Sequence, residues 1–69
     1  MIEVFKTNVQ EESQCQIIIE KLLEHYPNGL INFDLEDCDK ILRVHANEIS
    51  NTKIISILNF HGYFCEVLP

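Results

Sequence analysis

The spacing of apolar residues changes along the chain, and each change marks an element. Met1 to Lys6 carries Ile2 and Val4 on one face of an extended segment and Phe5 on the other, which suits a short strand. Apolar residues on both faces point to a central place in a sheet. The period then lengthens. Cys15, Ile18, Ile19, Leu22 and Tyr26 fall at i, i+3, i+4, i+7 and i+11, one continuous helical stripe, with Gln16, Glu20, Lys21 and Glu24 largely off it. Glu11 and Glu12 stand at the expected helix start, where the dipole favours carboxylates. Pro27 stops the helix and Asn28-Gly29 makes a turn.

A period of two returns from Leu30 to Glu36. Ile31, Phe33 and Leu35 lie on one side, with Asn32, Asp34 and Glu36 on the other, the clearest half-buried strand in the chain. The polar run Glu36-Asp37-Cys38-Asp39 reads as a hairpin turn. Lys40 to Ala46 is the return strand, with Leu42, Val44 and Ala46 alternating with Arg43 and His45. A second helix begins near Ser50, a good N-cap, and buries Ile54, Ile55, Ile57, Leu58 and His61. Gly62 is its expected C-terminal glycine, and Tyr63 to Leu68 forms the last strand.

The resulting order, β-α-β-β-α-β, predicts an α+β fold: a ferredoxin-like sandwich with a four-stranded antiparallel sheet and both helices on one face. Right-handed crossovers place the first and third strands side by side in the middle. With 69 residues the chain is one domain, residues 1–69. A domain of this size buries about 60% of the surface its unfolded chain exposes, so modest stability is expected. The 46% hydrophobic content supplies a core and argues against disorder despite a net charge of −6.

Charge narrows the partners. Five basic residues against eleven acidic ones do not build a phosphate-neutralising patch, so nucleic acid is not an expected partner. An anionic membrane is disfavoured for the same reason. A protein with a basic surface is the partner this charge suits. Cys15, Cys38 and Cys65 are odd in number and widely spaced, which fits free thiols and a cytoplasmic setting. The chain opens directly on a strand-like run with no signal-peptide pattern, and its longest run of consecutive apolar residues is far short of a membrane span.

Catalytic motifs are missing. His25, His45 and His61 have no serine or cysteine at motif spacing, and two glycines make no phosphate loop. Arg43, the one arginine, falls mid-strand rather than in a phosphate-binding loop, and the strand Ile41 to His45 has no aromatic residue on which RNA bases would stack. The acidic run from Asp34 to Asp39 fails as a calcium loop, because Cys38 stands at the third ligand position and Asp39 at the glycine. A solvated hairpin tip with an exposed Cys38 is expected instead, while Cys65 is left open between core and edge.

Three segments carry a family likeness across almost the whole chain: Phe5-Lys6-Thr7-Asn8-Val9, Asp39-Lys40-Ile41-Leu42-Arg43-Val44, and Ile54-Ile55-Ser56-Ile57-Leu58 through Gly62-Tyr63. With them the chain resembles the heavy-metal-associated domain, the fold of small copper chaperones and of modules in metal-transporting P-type ATPases. That family's loop is M-x-C-x-x-C, whose thiolates bind soft ions. Laid on this chain, Val9 takes the methionine position, Glu11 the first cysteine and Gln14 the second. Cys15 follows one residue late, about 100° around the helix. The metal-binding loop is therefore degenerate.

Two function classes follow. The first is a non-catalytic protein-interaction module that docks through the loop Val9, Gln10, Glu11, Glu12 and Gln14. No cofactor is then expected. The second is a metal-binding or trafficking module with altered ligands, Cys15 and His61 with Glu11, for which Zn or Cu(II) fits better than Cu(I). His61 enters because the resemblance brings its loop near the metal loop. Against these stand ordinary roles: Cys15 as a small hydrophobe in the helix stripe, Glu11, Glu12 and Gln14 as a solvated helix start, and His61 as a residue favoured at a helix C-terminus. A homodimer through the edges of the second or fourth strand is a third arrangement the fold allows.

Overall fold

The computed structural model describes residues 1–69 and contains β1 (Ile2–Thr7), α1 (Glu12–His25), β2 (Leu30–Asp34), β3 (Ile41–His45), α2 (Asn51–Phe60) and β4 (Cys65–Leu68). The strands form one antiparallel sheet in the order β2-β3-β1-β4, so the first and third strands lie in the middle as expected. This is the ferredoxin-like α+β arrangement. No helix is long and apolar enough to cross a membrane.

Register explains which residues are buried. Phe5 sits opposite Leu42 and Val67, and Leu42 also faces Phe33. Val44 stands between Glu3 and Ile31, and Thr7 faces Cys65. All of these point toward the helix layer, because paired residues share a face and alternate residues swap it. From the helices come Cys15, Ile18 and Leu22, and Ile54 and Leu58. With Phe5, Val9, Leu42, Val44 and Cys65 they make a single core. Ile19 and Tyr26, the remaining residues of the α1 stripe, are only half-buried. Glu3, on the rim of this face, accepts a hydrogen bond from Asn51 Nδ2 at 3.3 Å.

The opposite face of the sheet has no covering layer. Ile2 and Leu30 are 62% and 67% exposed there, so the two-faced apolar pattern of β1 marked a central strand but not a doubly covered one. Ile41 is the exception. It is buried on the open face, outside the core cluster, between the ion pairs Lys6–Asp39 and Arg43–Asp34, each 3.6 Å long.

The sheet ends earlier than periodicity alone implies. β2 stops at Asp34, not Glu36, because Asp34 Oδ1 accepts from the backbone N–H of Glu36 and pulls the chain into a turn. Asp37 Oδ1 does the same with Asp39 N–H at 2.8 Å. β3 begins at Ile41 because Lys40 has φ 48°, outside strand geometry. β4 begins at Cys65, since Tyr63 closes the α2 C-terminus, its N–H bonded to Leu58 C=O at 2.9 Å. Gly62 precedes it at φ 89°, the left-handed conformation such a cap requires.

Candidate functional site

Three loops meet at one end of the molecule. β1 delivers Asn8 to Glu11 there. The β2–β3 hairpin tip lies beside them because Ile41 pairs with Lys6, and the α2–β4 turn arrives because Cys65 pairs with Thr7. Thr7 joins the first two. Its N–H donates to Asp39 C=O at 3.1 Å, and its hydroxyl donates to Lys40 C=O at 2.6 Å while accepting from Val9 N–H at 3.2 Å. Asn8 joins the third: its Oδ1 accepts from Phe64 N–H at 2.8 Å.

Within the loop, Val9 is fully buried. It anchors the loop on the core, so the side chain expected to line a binding surface is withdrawn from it. Gln10, Glu11 and Glu12 are exposed. Glu11 is the N-cap of α1, and the Gln14 side-chain carbonyl accepts from the N–H groups of Gln10 and Glu11, both at 3.3 Å. The residues at the two expected cysteine positions therefore close a helix terminus. Four N–H groups there lack intrahelical partners, and Gln14 satisfies part of that need.

Cys15 is 5% exposed and belongs to the core. Burial raises its pKa first, Glu12 adds to the rise, and a backbone hydrogen bond opposes both. The thiol is thus held in the form that binds metal poorly. Cys15 borders a hollow shared with Glu12, Phe33 and Arg43, and His61 borders a groove with Lys21 and Lys53. Glu11, Cys15 and His61 form no three-ligand group. The one group within ligand reach, with ligand atoms inside 4.8 Å of one another, is Asp37, Cys38 and Asp39 at the hairpin tip. Cys38 is exposed there as expected, and Cys65 is in the core, its thiol pushed up to about 11 by burial.

What the end of the molecule does gather is negative charge. Glu11, Glu12, Asp34, Glu36, Asp37, Asp39 and Glu66 all lie at or next to it, most of the chain's eleven acidic residues. Lys6 and Arg43 pair with Asp39 and Asp34, and the Lys40 ammonium donates to Leu35 C=O at 2.9 Å. Glu11, Glu12, Glu36, Asp37 and Glu66 have no ion-pair partner. The sequence showed the two acidic runs separately. Their meeting depends on Thr7 and on strand register, and the alternation of β1 against β3 was the signal that implied it.

Comparisons of the chain with protein-family models, with curated proteins and with solved structures found no match.

Proposed function

We propose that this chain is a non-catalytic protein-interaction module, of the heavy-metal-associated type but without that family's metal ligands, which docks a partner with a basic surface. The docking surface is the acidic end, with Gln10, Glu11 and Glu12 on one loop and Glu36 and Asp37 on the adjoining hairpin. The single observation that carries this reading is the fastening of the two acidic loops through Thr7, which concentrates unpaired carboxylates on one end. Clustered charge of one sign accelerates encounter with an opposite patch and sets its orientation. The capping role of Gln14 and the burial of Cys15 support it further, because each withdraws a side chain from metal ligation at the loop.

The test is an NMR titration of the labelled chain with a lysine-rich amphipathic peptide, beside native mass spectrometry with Cu(I), Zn(II) and Cu(II) under a competing chelator. The expected result is shifts in the amides of residues 10–12 and 36–39, no metal adduct, and loss of the shifts in Glu11→Lys/Asp37→Lys. A 1:1 metal adduct that disappears in Cys15→Ser or His61→Ala would instead establish the altered metal site.

A further inference from the structure

The outward sides of α1 and α2 enclose a groove of about 530 Å³, lined by Lys21 and His25 from α1 and by Lys53, Ile57, Phe60 and His61 around α2. Lys53, Ile57 and Phe60 are spaced i, i+4, i+7 and form one stripe. Lys21 and His25 are spaced i, i+4, and Ile17, 53% exposed, extends their row by one turn. Phe60 is 87% exposed, the most exposed large hydrophobic residue of the chain. Its ring meets the His61 ring edge-on at 5.4 Å and has no place in the core.

The chemistry of this groove is opposite to that of the chain. No carboxylate lines it. Glu24 reaches Lys21 at 3.6 Å from outside, and Glu48 borders the neighbouring hollow with His25 and Lys53. Lys53 has no ion pair. Exposed apolar surface combined with cations on facing helices matches an amphipathic helix whose polar residues are acidic. The molecule measures 27 × 25 × 18 Å, whereas charges are screened over about 8 Å at physiological salt. A peptide lying in the groove therefore meets the local lysines. An anionic membrane or a second copy of the chain presents a wider surface than a short peptide and would also meet carboxylates outside the groove, such as Glu24 and Glu48.

We propose that this groove is a second docking site, which takes a short acidic amphipathic helix of a partner protein. Its apolar side chains cover Ile57 and Phe60, and its carboxylates lie beside Lys21 and Lys53. The two sites rest on different residues, and neither needs the other.

The probe is a short synthetic helical peptide with leucines four residues apart among glutamates, titrated into the labelled full chain. Amide shifts should be confined to residues 17–25 and 53–61, and a control peptide with lysines for glutamates should not produce them. Phe60→Ala should weaken binding by about tenfold, the loss typical of a principal anchor, and Lys21→Glu/Lys53→Glu should abolish it. Both variants change exposed residues, and unchanged amide spectra elsewhere would show that they fold. Equal binding of both peptides, or shifts spread outside the groove, would overturn the proposal. So would sedimentation of the chain with phosphatidylglycerol vesicles when the acidic peptide does not bind. Shifts in the same residues on raising the protein concentration alone would make a second copy the occupant and overturn it equally.

Discussion

Thr7 does the most for the acidic end, though nothing in its identity announces a function. Its hydroxyl satisfies Lys40 C=O and the buried Val9 N–H together. Thr7→Val keeps the shape and leaves both groups without a partner. Stability should fall by about 1–3 kcal/mol, the range for stranding buried polar groups. Thr7→Ser should recover most of it, and urea unfolding of the three proteins would check this. Lys40 belongs to the same device: its left-handed backbone aims its carbonyl at Thr7. Cys65 allows a second prediction. Its thiol is pushed up to about 11, so the fold binds a proton that the unfolded chain has already released above pH 9. That stabilisation is complete below pH 9 and is lost as pH rises toward 11. The unfolding midpoint should fall less steeply across that window in Cys65→Val than in the parent chain.

At the scale of the element, periodicity foretold all six segments and their order, because alternation and the 3.6-residue stripe are local consequences of backbone geometry. It placed the ends less well. Leu35 continues the alternation of β2, yet Asp34 and Asp37 bond to backbone N–H groups two residues on and close the hairpin sooner. The end of α2 was legible, since Gly62 stands where only a left-handed residue closes the helix. Gly62 N–H bonds to Asn59 C=O and Tyr63 N–H to Leu58 C=O, both at 2.9 Å. A Cβ at Gly62 would meet nothing within 4 Å, so Gly62→Ala tests backbone strain without a clash. The expected loss is about 1–2 kcal/mol, read from the shift in urea midpoint. The α2–β4 turn holds Phe64 against Asn8, so the same variant should loosen the loop at the acidic end, seen as faster amide exchange at Phe64.

Over the whole molecule, charge is divided. Carboxylates collect at the end formed by the β1–α1 loop and the hairpin tip, and lysines and histidines border the groove between the helices. The proposed contacts at both places should weaken with salt, because each depends on exposed charges. They should respond oppositely to peptide charge, which separates them in one set of titrations. This division was only half legible. Glu11, Glu12 and the run from Glu36 to Asp39 stand out in the sequence. Lys21, His25, Lys53 and Phe60 lie off the buried stripes in two helices and read there as ordinary solvated positions.

By itself, the sequence determined what neighbouring residues decide: strand or helix, the buried stripe of α1, the helix caps at Ser50 and Gly62, and an acidic net charge. From these followed the order of elements and the ferredoxin-like sandwich. Of the residues expected to be buried in α2, only Ile54 and Leu58 are, and Ile57 and His61 border the outer groove. Tertiary structure alone decided which distant residues meet. It drew Val9 inward, settled Cys65 in the core, left Glu11, Cys15 and His61 without a three-ligand cluster, and fastened the hairpin to the first loop through Thr7. The physical reason is that spacing along an element assigns a side chain to a face. Its neighbours across the molecule are assigned by strand register and by the packing of both helices on one side of the sheet.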